Sequence, residues 1–175
     1  MEIMPRIITI EPYNPDWPAA YKKEASQFNN VLSDLLLNIE HIASTAVTGL
    51  AAKPIIDILF VVKSLQELDE SDAAIKAMGY IPRGEYGIAG RRYFVKGGDS
   101  RTHHVHAFEN GSQHIVRHLA FRDYLRRHHE IAEQYAETKR KAVAACGDSS
   151  AIYSQLKSAF IGCHEKRALE ELRAR

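Results

Sequence analysis

The sequence predicts an α+β fold, a mixed β-sheet flanked by helices with a helical portion at the C-terminus. Three observations carry this. The run Ile55–Val62 is apolar at odd and even positions alike and rich in β-branched residues, which marks a strand covered on both faces. Shorter β-branched or aromatic runs, bounded by Gly and Pro, fall at Ile39–Ile42, Tyr80–Pro82, Arg91–Lys96 and Thr102–Phe108. From Ser112 onward the apolar spacing becomes helical and stays so almost to the end. The 175 residues, 45% hydrophobic and 26% charged, suffice for one domain spanning 1–175 with a sizeable core.

In chain order, Ile7–Ile10 reads as a short strand or extended arm. Asp16 is placed to cap a helix from Trp17 to about Leu36, with Pro18 tolerated in its first turn. Trp17, Tyr21, Phe28, Val31, Leu32 and Leu35 form its apolar stripe, so Trp17 reads as core. After the strand Ile39–Ile42, Ala43-Ser44-Thr45 opens a short helix through Ala52, capped by Ser44 or Thr45. Lys53 and Pro54 lead into the long strand, and Leu65–Met78 reads as a helix closed by Gly79. The loop 84–90, with three glycines, has the freedom to move over a site. The last third holds three helices: Gly111 or Ser112 to about His128, Glu130–Cys146, and Ala151 almost to the C-terminus.

Charge and cysteine usage narrow the class. A net charge of +1 gives no global attraction to nucleic acid or membrane, so neither is expected as a partner. Cys146 and Cys163 lack C-x-x-C spacing and read as buried or free thiols in a reducing compartment. The N-terminus shows no charged-then-apolar leader pattern and no apolar run approaches eighteen residues, so a cytoplasmic location is expected.

Candidate chemistry gathers around the long strand. Asp57 interrupts an apolar run, and a carboxylate there needs a cation, a metal or strong donors. Ser44 and Thr45 at a strand–turn–helix junction, followed by Lys53, form a phosphate cradle in outline, with capping alone as the plainer alternative. In His103-His104-Val105-His106, strand alternation puts His104 and His106 on one face. With Asp57 they make a candidate set for a divalent metal ion such as magnesium, manganese or zinc, or else a hydrogen-bonded cluster. Arg122, inside F-R-D-Y-L, suits a phosphate or a structural ion pair.

The stretch I-E-H-I-A-S-T-A-V-T-G-L-A-A-K-P-I-I-D-I at 39–58 resembles the signature of the GrpB family. Trp17 after N-P-D, T-H-H-V-H-A-F-E at 102–109, H-L-A-F-R-D-Y-L-R at 118–126 and Tyr135 with Lys139-Arg140 extend the likeness over nearly the whole chain. The resemblance implies a nucleotidyltransferase-like fold and a nucleotide or other phosphate-containing ligand. Under it Asp57 and Lys53 are the catalytic candidates, and Ser44, Thr45, Lys53, Arg92 and Arg122 the phosphate contacts, with Arg91, Lys139, Tyr153 and Lys157 as weaker candidates that match family positions. Asp57, His104 and His106 would then hold the metal. The alternative is a catalytically inactive phosphate-binding module of the same fold. Two departures stand out: Ala43 replaces the family's Gly, and Thr48 its Pro. The superfamily also expects a second carboxylate two residues from the first, where this strand has Ile55 and Leu59.

Overall fold

The structure, a computed structural model, describes residues 7–175. Five strands form one mixed sheet: β1 (Leu36–Ile42), β2 (Ile56–Val62), β3 (Tyr80–Pro82), β4 (Arg91–Lys96) and β5 (His103–Glu109), in the order β1-β2-β5-β4-β3. β2 and β5 run parallel and the other neighbours antiparallel. Among the described residues the helices are α1 (Trp17–Leu32), α2 (Leu65–Glu70), α3 (Asp72–Ala77), α4 (Gln113–Arg127), α5 (His129–Ala145) and α6 (Ser150–Arg173). None is long and apolar enough to cross a membrane.

β2 is buried on both faces because its alternation serves two cores. Ile58, Phe60 and Val62 pack with Phe28 and Leu32 of α1, Leu68 of α2 and Ile75 of α3. Burying each such side chain contributes about 1.5–3 kcal/mol. On the other face Leu59 meets Ile42, Phe108 and, from α4, Ile115 and Leu119. The C-terminal helices share their own apolar cluster, which includes Tyr124 and Leu125 of α4, Tyr135 and Ala136 of α5 and Ala168 of α6. The pocket described below opens between this helical layer and the second face of the sheet.

The structure corrects several boundaries. Of the two readings for residues 7–10, the structure has the extended arm and not the strand; the arm leads into an isolated bridge between Glu11 and Ala52, and Ile8 is buried. Helix α1 stops at Leu32, where Ser33 takes φ 45°, because Leu36 is recruited to pair with Val62 in the sheet. Asp16 makes no side-chain cap bond there. The helix expected through Ala52 is a single 3₁₀ turn, Ser44–Ala46, capped by Ala43 without a side-chain bond. Val47, Leu50 and Ala51 are drawn into the cluster of the C-terminal helices instead. The helix expected over 65–78 is two, broken at Ser71, whose hydroxyl donates to the Glu67 carbonyl at 3.0 Å. Ala43 sits at φ 60°, ψ −158°, a conformation close to a glycine preserve, which gives a physical reason for the Gly that the resemblance leads one to expect at this turn.

Candidate functional site

Sheet register assembles the first half of the site. Asp57 of β2 lies opposite His104 of β5, and Leu59 opposite His106, so the carboxylate and both imidazoles share one face. His106 Nε2 is 3.0 Å and His104 Nδ1 3.4 Å from Asp57 Oδ1. Arg91 fixes the proton on His106: its Nη1 lies 3.4 Å from Nδ1, and a guanidinium only donates, so Nδ1 accepts and the Nε2–H donates to Asp57. Arg91 also donates to the carbonyls of Glu85 and Tyr86, at 3.1 and 2.7 Å, and this ties the glycine-rich 84–90 loop to the rim. Burial alone would raise the Asp57 pKa, but the hydrogen bonds from His104 and His106 outweigh it and hold the carboxyl well below its usual range. His118 packs beside His106, and burial pushes it down to about 2, so it is neutral.

Distant elements supply the opposite wall. Ser44 comes from the turn after β1, Lys53 from the segment before β2, Lys139 from α5, and Tyr153 and Lys157 from α6; with Asp57, His104 and His106 they line a cavity of about 350 Å³. Lys139 is only 2% exposed. Its Nζ lies over the Tyr135 ring and donates to Ser44 Oγ at 2.9 Å and to the Ala51 carbonyl. Burial, aided by repulsion from Lys157, Arg140 and Lys53, pushes it down to about 6. Burial and Lys53 likewise push Lys157 down to about 8. Lys53 and Lys157 both approach the Tyr153 ring, at 4.7 and 4.3 Å from its centroid. Among the described residues the buried Tyr153 hydroxyl has no hydrogen-bond partner.

The residues singled out from sequence separate into two groups. Ser44, Thr45, Lys53, Asp57, His104 and His106 all line the one cavity. The Thr45 hydroxyl, however, is already bonded to His41 Nε2 at 2.8 Å. Arg92 and Arg122 lie elsewhere. Arg92 forms a bidentate pair with Asp69, at 2.7 and 2.9 Å. Arg122 is held by Glu40 and Asp123, at 2.7 and 2.8 Å, and donates to the His41 carbonyl, a structural ion-pair network.

The metal reading meets a chemical obstacle. His106 points its Nε2–H at Asp57 and its Nδ1 lone pair at Arg91, so in this arrangement the ring offers no free lone pair to an ion. Among the described residues no group of three or more His, Cys, Asp or Glu side chains is arranged to hold a metal. As it stands the set is a hydrogen-bonded cluster.

The structure adds Arg117, which pairs with Glu165 at 2.8 Å, and His118; both line the cavity. The lysines did leave a local trace. Lys139 falls in phase with buried Ala132, Tyr135, Ala136 and Ala142, and a lysine inside an apolar helical stripe is the signal of a buried charge.

Comparison with known proteins agrees with this architecture. A family model described as GrpB protein matches residues 7–167. The UPF0157 protein YqkA of Bacillus subtilis (strain 168) is 45% identical over 163 residues, 93% of this chain but only 48% of that protein, so the chain spans about half of its relative. The crystal structure of conserved protein GrpB from Enterococcus faecalis matches with a TM-score of 0.89 and 41% identity, over 94% of this chain and 99% of that one. Part of the chain, 45% of it, is also 34% identical to one fifth (20%) of a dephospho-CoA kinase from Mycolicibacterium paratuberculosis. With a model match over almost the full length and a structural relative of the same extent, the chain belongs to the GrpB family.

Proposed function

We propose that the cavity binds a small phosphate-containing ligand, a nucleotide or a compound of similar size. The convergence of Lys53, Lys139 and Lys157 with the Ser44 hydroxyl on one wall carries this reading. The Lys53 and Lys157 ammonium groups, gathered in a partly dry cavity beside the Lys139 amine, repel one another, and an anion relieves that repulsion more strongly than it would in water. A volume of about 350 Å³ suits one small molecule and not a polymer. The net charge of +1 agrees, since the attraction is local to the pocket and not spread over the surface.

Within the nucleotidyltransferase-like fold that the family likeness implies, the favoured role is the binding module rather than two-metal nucleotidyl transfer. Such transfer uses a pair of carboxylates to hold its ions. Here Ile55 and Leu59, both buried, flank Asp57 at the required spacing. Lysines then carry the phosphate charge.

Titration calorimetry with pyrophosphate, ATP and dephospho-CoA, with and without magnesium, tests the reading. Lys157→Ala should weaken binding about 10- to 100-fold, the worth of a hydrogen bond to a charged group. Wild-type protein that takes up none of the three at millimolar concentration would overturn the proposal.

A further inference from the structure

Lys139 is a buried amine with no acid to balance it. Among the described residues no carboxylate lies within ion-pair distance of its Nζ, and the charged groups that face it are all basic: Lys157 from α6, Arg140 from its own helix and Lys53 from the segment before β2. Its polar contacts are Ser44 Oγ at 2.9 Å and the Ala51 carbonyl, with the Tyr135 ring beneath. A neutral amine matches this environment. Its N–H groups donate to Ser44 Oγ and the Ala51 carbonyl, and the same 2.9 Å contact lets the lone pair of a neutral amine accept the Ser44 hydroxyl proton once that hydroxyl turns toward it. Ser44 itself is half-buried and lines the cavity, and the Tyr135 phenol lies within hydrogen-bonding reach of its side chain. A hydroxyl held against a neutral amine is the arrangement of an activated serine.

We infer that Ser44 and Lys139 form a nucleophile–base pair that accepts a phosphoryl group from a phosphoric anhydride or an activated phosphate ester. The step rests on the reading of the cavity as a phosphate site and adds a covalent reaction to it. Ser44 Oγ attacks phosphorus and its proton passes to the Lys139 Nζ lone pair. The Oγ–P bond forms as the bond to the leaving oxygen breaks, and that oxygen departs with the electron pair as a phosphate or ester anion. Lys53 and Lys157 neutralise charge on the non-bridging oxygens. In the return step a water oxygen attacks phosphorus, the Oγ–P bond breaks, and the Lys139 ammonium gives its proton back to Ser44 Oγ. The water's remaining proton leaves with the product phosphate, so the net reaction is hydrolysis. Lys139 is a catalytic residue in this scheme because it exchanges its proton with the reacting oxygen.

The test uses diisopropyl fluorophosphate, whose phosphorus a serine attacks irreversibly with loss of fluoride. Intact-mass and peptide analysis should place one adduct on Ser44, with a rate that rises with pH through a midpoint near 6, where Lys139 loses its proton. Ser44→Ala should remove the adduct. Lys139→Arg keeps a basic side chain of similar length but stays protonated and supplies no base, and should slow labelling about 100-fold or more while circular dichroism stays native. Labelling of Ser44 no faster than that of the urea-unfolded protein, or at the wild-type rate in Lys139→Arg, overturns the inference. Retained pyrophosphate binding with no labelling removes the covalent step alone. Labelling without pyrophosphate binding upholds the pair and removes the phosphate-binding reading.

Discussion

Replacing Lys139 by Met should stabilise the protein at neutral pH, and the sign of the effect should depend on pH. The ordinary lysine value is 10.5, and burial lowers it to about 6 in the folded chain. Below 10.5 the unfolded chain holds a proton that the folded chain releases down to about 6, so folding loses stability as pH falls through that window and loses no more below it. At about pH 7.5 the gap is about three units, or about 4 kcal/mol at roughly 1.36 kcal/mol per unit. Methionine carries no charge and fills similar space, but it leaves the Ala51 carbonyl without its donor, which costs about 1–2 kcal/mol. The net gain is about 2 kcal/mol, or about 4–8 °C in melting temperature for a chain of this size. At pH 10.5 the gain should vanish or turn into a loss of about 1–2 kcal/mol. Urea unfolding of both proteins across pH 6 to 10.5 measures this. A variant less stable than wild type at pH 7.5, or a difference that does not change with pH, refutes the picture of Lys139 as an uncompensated buried amine.

Two further outcomes follow from backbone and imidazole chemistry. Ala43→Gly should raise the melting temperature by about 2–4 °C, because relief of about 1–3 kcal/mol of strain at this φ and ψ exceeds the 0.5–1 kcal/mol or so of added glycine freedom. A lowered melting temperature counts against strain at the turn. His41 is buried against Tyr21, and burial pushes it from 6.5 down to about 4. Both states are neutral above about 6.5; below it only the unfolded chain takes the proton, so stability should fall by about 3 kcal/mol between pH 6.5 and 4. His118 acts in the same direction, and His41→Gln should flatten part of the slope in denaturant titrations. Flat wild-type stability over that interval contradicts the assignment.

The strands were legible because β-branched runs bounded by Gly and Pro carry their information locally. β3 and β4 match the sequence reading residue for residue, and β2 differs by one. The 44–52 segment was not legible. Its composition permits a helix, but Leu50 and Ala51 gain more by packing against α4 and α5, contacts that no local pattern records. The site divides in the same way. Asp57, His104 and His106 lie on two strands whose alternation could be read, so their common face was predictable. Lys139 and Lys157 reach that face from helices whose docking depends on the whole fold. Arg122 shows the converse: its motif was visible, but Glu40, 82 positions earlier, claims the guanidinium.

The extended arm at the start of the described chain has a bearing on biogenesis. Ile8 packs with Ala142, Cys146 and Tyr153, and its amide donates to Asp148 across 140 positions; Glu11 and Ala52 exchange backbone bonds beside Lys53. The sheet is complete once Glu109 has been made, yet the floor under Tyr153 needs one of the first described residues and the start of the last helix together. Loop closure over such a span is slow relative to local pairing. On a ribosome, the arm therefore waits until the start of α6 has emerged, and a nascent polypeptide carries all five strands before it carries a pocket.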